Sequence, residues 1–121
     1  MGTWTVERRA DALFVGFTGV GDAVDIAAVH AEVARLQNPP ARFLVADTTR
    51  TTDFDLNVRP PSVAFLDEMK QREWFELVVV IAPSSIVRMM ASALGIAAGV
   101  RLRCVADRAA AEALLAQRRA A

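Results

Sequence analysis

Apolar and polar positions alternate from Thr3 to Arg8, with Trp4 and Val6 on one side and Thr3, Thr5 and Glu7 on the other. That period predicts a half-buried strand. Arg9-Ala10-Asp11-Ala12 reads as a short turn, and Leu13 to Thr18 as a second strand paired antiparallel to the first. The period then changes. Ile26, Val29, Val33 and Leu36 share one face of a helix from Ala23 to Leu36, with Asp25, Glu32 and Arg35 opposite. Gly21 or Asp22 is placed to cap it, and Asn38-Pro39-Pro40 stops it.

Phe43-Leu44-Val45-Ala46 is an unbroken apolar run that ends at Asp47. A strand covered on both faces reads this way, and its acidic end points to a functional edge of an α/β sheet. The polar stretch from Thr48 to Arg59 predicts a long loop, a place where function concentrates. Pro60-Pro61 opens a helix whose buried stripe is Phe65, Leu66 and Met69, with Glu68 and Arg72 paired on its surface. Trp74 and Phe75 are expected to plug the bottom of the sheet. Leu77 to Ala82 is the most strand-like segment and is expected beside Phe43–Asp47. A helix follows from Ser85 to Leu94, capped by Ser84 or Ser85 and ended by Gly95. Arg101 to Ala106 alternates as an edge strand does. Asp107 caps a last helix, Arg108 to Gln117, whose core face is Ala111, Leu114 and Leu115.

The order is β-β-α-β-α-β-α-β-α, and right-handed crossovers make the last four strands parallel. The expected fold is α/β, one domain over residues 1–121, with a mostly parallel five-stranded sheet and an antiparallel first strand. A chain of 121 residues with 54% hydrophobic content can bury such a sheet without metals or disulfides.

Charge narrows the function. Lys+Arg and Asp+Glu both number 14, so no global field attracts nucleic acid. Arg101, Arg103, Arg108, Arg118 and Arg119 read as a solvated C-terminal region, and no aromatic lies beyond Phe75 to stack a base. Cys104 is the one cysteine, which excludes an internal disulfide or cysteine metal site, and it reads as a small buried hydrophobe. Glu7, Arg8 and Arg9 arrive too early for a signal peptide, so a cytoplasmic location is expected. Leu77 to Val100 has a single charge, Arg88, but Pro83-Ser84-Ser85 and Gly95 break it, so no membrane span is expected.

The hairpin start, the strand ending at Gly19, the Ile26–Leu36 helix, Phe43-Leu44-Val45-Ala46-Asp47 and Leu77-Val78-Val79-Val80-Ile81-Ala82 with its Ser-led helix together resemble the SpoIIAA-like, or STAS, domains. These are anti-anti-sigma-factor relatives, in a superfamily with the CRAL-TRIO lipid carriers. The resemblance covers nearly the whole chain and rests on patterns of strand and helix. It implies a β-α superhelix that acts on partner proteins, with some members binding nucleotides or small anions. In the sigma-factor branch a Ser or Thr in an Asp-Ser-Ser-Gly-type segment is phosphorylated just after the strand matching Phe43–Asp47. This chain keeps Asp47 but lacks that segment, and Thr51 and Thr52 precede Asp53 near its place.

Four candidate sites follow. The loops after the two central strands should meet, bringing Asp47, Thr48, Thr49 and Arg50 against Ser84, Ser85 and Arg88. Amides, hydroxyls and guanidinium groups in that arrangement suit a small anion. The same residues also read as helix caps and turn closures. Thr51 and Thr52 beside Arg50 are candidate phosphorylation sites, or simply a solvated loop. His30 reads as a residue at the rim of the first helix, without partners for a triad or a metal site. Ile86, Val87, Met89, Met90, Leu94 and Ile96 exceed what one buried stripe needs, and the excess is either core or an interface at Ile86, Met89, Met90 and Leu94. The expectation is a non-enzymatic regulatory domain without a cofactor, working through a protein partner or as a homodimer. The alternative is a carrier or sensor of a small anion or a lipid-like apolar molecule.

Overall fold

A computed structural model describes residues 2–120 of the chain. Thr3–Arg9 (β1) and Ala12–Gly21 (β2) form the antiparallel hairpin. Ala10 takes a left-handed conformation (φ 53°) to close its turn. The Asp11 carbonyl then accepts the N–H groups of Arg42 and Phe43 at 2.7 and 3.1 Å, so the turn fixes where the third strand begins.

Ala23–Arg35 (α1) starts on a reciprocal cap. The Asp22 carboxylate accepts the Asp25 N–H at 2.9 Å, and the Asp25 carboxylate accepts the Asp22 N–H at 3.3 Å. This corrects the placing of Asp25 on the solvent face, because the cap holds it buried. Phe43–Phe54 (β3) follows, then a 3-10 turn at Leu56–Val58, Arg59–Arg72 (α2), Leu77–Ile81 (β4), Ser85–Ala98 (α3), Leu102–Val105 (β5) and Arg108–Ala120 (α4). The sheet order is β1-β2-β3-β4-β5, antiparallel only at β1–β2. The element order and mixed sheet are those that the hydrophobic pattern predicts.

The sheet is covered unequally. Leu13, Val15, Leu44 and Val78 meet Val29, Val33, Leu66 and Met69 on the face under α1 and α2, where Leu94 and Ala98 of α3 also pack. Phe43, Val45, Leu77, Val79 and Ile81 meet Ala111 and Leu115 of α4 on the other face, with Leu114 packed against them as the sequence predicts. The β1 and β2 end of that second face stays open, with Thr3, Thr5, Glu7 and Thr18 exposed.

Two segments depart from the sequence reading. The polar stretch after Asp47 is no loop. β4 stops pairing at Asp47–Ile81, but β3 continues along β2 to Gly21–Phe54, with two register shifts. Thr48, Thr49, Thr51 and Thr52 are β-branched, and strand preference outweighs polarity where β2 continues beside the strand and Thr49 and Thr52 stay exposed. The helix α3 also runs through Gly95 and ends at Gly99, which supplies the left-handed cap (φ 72°). Gly95 serves packing instead. A Cβ there would lie 2.9 Å from Leu102 Cβ. No helix among the described residues is long and apolar enough to cross a membrane.

Candidate functional site

The carboxyl ends of the parallel strands border an open groove of about 720 Å³ on the thinly covered face. Asp47, Thr49 and Arg50 line it from β3, and Asp107 and Arg108 from the start of α4. Thr5, Gly16 and Thr18 line it from the hairpin. Gly16 contributes no side chain, and a Cβ there would come within 3.2 Å of Thr5 Oγ1. The Asp47 carboxylate accepts the Thr49 N–H at 2.9 Å and also the Thr49 hydroxyl. The Asp107 carboxylate accepts the Ala110 N–H at 2.8 Å, the cap that the sequence predicts. Arg108 lies 3.7 Å from Glu112 and stacks over the Phe14 ring at 5.2 Å. Arg50 enters no ion pair among the described residues.

The predicted anion cluster is divided. Of the second loop, Pro83 lines the groove, while Ser84, Ser85 and Arg88 do not. The Ser84 hydroxyl accepts the Val87 N–H at 3.4 Å as the cap of α3. Arg88 turns back and donates to the Ala82 and Pro83 carbonyls at 2.7 and 2.9 Å. Thr48 is buried, and its hydroxyl donates to the Ile81 carbonyl at 2.7 Å, joining β3 to β4 where their ladder ends. Thr51 and Thr52 lie within β3, Thr51 opposite Gly19 and Thr52 exposed at the second register shift. The sequence marks Asp107 only as a cap, and Thr5, Gly16, Thr18 and Arg108 stand outside the predicted cluster. The polar alternation of Thr3, Thr5 and Glu7 was the available signal, since it marks a sheet face left open.

His30 joins α1 to α2. Its Nε2 is 2.6 Å from Glu68 Oε1, and its ring stacks on Phe65 with centroids 4.7 Å apart. Hydrogen bonds from His30 and Arg72 hold the Glu68 carboxyl below its usual range. Every group here has a partner, so the cluster reads as a rim clasp.

The second candidate is a surface. Ile86, Met89, Met90 and Ile96 of α3 are 64, 67, 54 and 82% exposed. Ala93 and Ala97 lie exposed among them. Leu94, expected in this group, packs inward against the core, as does Ala98. Arg88 is the one charge on α3 and is held by its own loop. Together the four large side chains present on the order of 500 Å² of apolar surface, near the upper end for a monomer's largest patch.

Neither a family model nor any curated protein matches the chain. Solved structures do. The anti-sigma factor antagonist SpoIIAA in its unphosphorylated form superposes with a TM-score of 0.66 at 13% identity, over 96% of this chain and 98% of that one. An anti-sigma factor antagonist from Mycobacterium paratuberculosis gives 0.63 at 19% identity, over 98% and 95%. An uncharacterised protein with a SpoIIAA-like fold from Shewanella loihica PV-4 gives 0.62 at 13% identity, over 88% and 86%. The chain therefore has the SpoIIAA-like α/β fold.

Proposed function

We propose that this SpoIIAA-like fold serves here as a non-enzymatic regulatory domain that docks on protein through the outer face of α3. The observation that carries the reading is the uncharged, exposed run of Ile86, Met89, Met90 and Ile96. Exposed apolar patches of this size with polar surroundings mark contact surfaces, and methionines adapt to the partner's shape. Two of the similar structures are anti-sigma factor antagonists by name, which supports a regulatory use of the fold. The test is affinity capture from the native cell extract with the wild-type chain and with Met89→Glu/Ile96→Glu. A defined protein retained by the first and lost from the second is the expected result. Equal retention by both would remove α3 from the reading.

Arg50 and Arg108 favour a second use, a small anion held in the groove. Both residues line it beside the start of a helix, whose first amides have no intrahelical partner. Asp47 and Asp107 oppose the charge, although each is engaged by neighbouring N–H groups. Titration with phosphate and with nucleotides should shift the amide resonances of Thr49, Arg50, Arg108 and Ala109. Resonances unmoved at millimolar ligand would end the anion reading.

A further inference from the structure

We infer that the occupant of the α3 face is a second copy of this chain, packed α3 against α3 in antiparallel register about a two-fold axis. This rests on the docking reading above and names its partner.

The spacing of the exposed residues carries the argument. Ile86, Met89, Ala93 and Ile96 fall at intervals of three, four and three, the a and d positions of a heptad. Met90 and Ala97 flank them. The inward residues Leu94, Gly95 and Ala98 take the opposite side of the same helix. So α3 has two apolar faces, one used by its own sheet and one with the pattern of a helix-to-helix seam. A helix with only its own core to cover needs one.

The order of sizes along the seam selects the antiparallel register. Pairing about the centre of the stripe sets Ile86 opposite Ile96 of the second copy, and Met89 opposite its Ala93. Each layer then matches an a position with a d position, and the long methionine enters the space that alanine leaves. A parallel pairing would set Met89 on Met89 and Ala93 on Ala93, one layer crowded and the next empty. A two-fold contact uses the same patch on both copies, so it must be self-complementary. The face carries no charge to be repelled by its own copy, since Arg88 is held by the Ala82 and Pro83 carbonyls. Its area suits a modest interface. A standard interface covers ~800 Å² per partner, of which about 65% is apolar in homodimers, and the exposed side chains of α3 supply apolar area of that order for a concentration-dependent dimer.

Sedimentation velocity on the full chain tests this. The expected result is a dimer at ~100 µM chain. Met89→Glu and Ala93→Lys should each weaken association ~30-fold or more, with circular dichroism unchanged. Mixing the two variants should restore a heterodimer, because one layer then pairs glutamate with lysine and the other keeps the native Met89–Ala93 contact. A wild-type monomer at all concentrations overturns self-pairing and leaves the docking reading to the capture experiment, where a retained protein other than this chain would still support it. A dimer that survives both single variants overturns the α3 seam. Loss of dimer in both variants without restoration in the mixture overturns the antiparallel register.

Discussion

Phe43→Ala is expected to cost about 3–5 kcal/mol of unfolding free energy and to lower Tm by about 10–20 °C. Phe43 is the largest fully buried side chain, at 0% exposure. It sits in a central strand, opposite Ala12 on β2 and Leu77 on β4. It faces the layer that α4 alone covers, with Ala111 and Leu115 above. Those neighbours belong to strands held on both sides and to one helix, so the cavity left by the ring cannot close. The Arg42 and Arg119 guanidinium groups, 5.0 and 5.5 Å from the ring centroid, also lose their aromatic partner. Arg119 keeps its ion pair with Asp11, which holds the Asp11 carboxyl below its usual range, but an exposed pair contributes little. A domain of this size has about 5–15 kcal/mol in total. Urea unfolding followed by fluorescence and circular dichroism would show a lower midpoint with the slope unchanged. Phe43→Leu should keep most of the loss away, at less than about 1.5 kcal/mol. A loss under ~1 kcal/mol for the alanine variant would mean that α4 collapses onto the sheet.

The fold was legible because its elements differ in period. Trp4 and Val6 alternate, Ile26, Val29 and Val33 recur at helical spacing, and Leu77 to Ile81 is continuous. Each pattern matches the burial found, half-covered for β1 and fully covered for β4. The misread segments are those where one residue type serves two purposes. Threonine is polar enough to sit in a loop and β-branched enough to extend a strand, and the extension of β3 depends on whether β2 continues beside it. That is a tertiary fact, which no window along the chain contains. Gly95 is ambiguous in the same way, since glycine both ends helices and permits close packing.

The site was less legible than the fold. Asp47 and Arg50 were identified as edge residues from the abrupt end of an apolar run, and both border the groove. Their predicted companions lie in the next loop of the parallel sheet, whereas the groove opens on the other face, toward α4 and the hairpin. Which face stays open depends on how many helices each side receives, and right-handed crossovers put α1, α2 and α3 together. Ser84 and Arg88 carry plausible chemistry but are consumed locally, one as a helix cap and one by two carbonyls. The outer face of α3 was visible as an excess of apolar residues. Only the structure separates Leu94, which turns inward, from Met89 and Ile96, which do not.

Gly95→Val is expected to destabilise the fold by about 3 kcal/mol while leaving the outer face of α3 intact. A Cβ at residue 95 would lie 2.9 Å from Leu102 Cβ and 3.3 Å from its Cδ1. Leu102 Cβ cannot swing aside, because Leu102 is paired to Val78 in the sheet. The helix must therefore lift, and Leu94, Ala98 and Val100 loosen from the core that they cover. Intrinsic preference acts the other way, since glycine inside a helix is about 1 kcal/mol worse than alanine. Gly95→Ala thus sets the two effects against each other most evenly. The contact should win, with a smaller net loss of about 1 kcal/mol, because the first added carbon already meets a fixed atom. Thermal unfolding of both variants checks the order. If Gly95→Ala raises Tm, helix preference outweighs the contact and α3 has slack against β5. The seam residues lie on the far side of the helix from Leu102, so the folded variants should associate as the parent chain does. A variant that lost both stability and association together would show instead that the seam depends on how closely α3 is pressed to its own sheet.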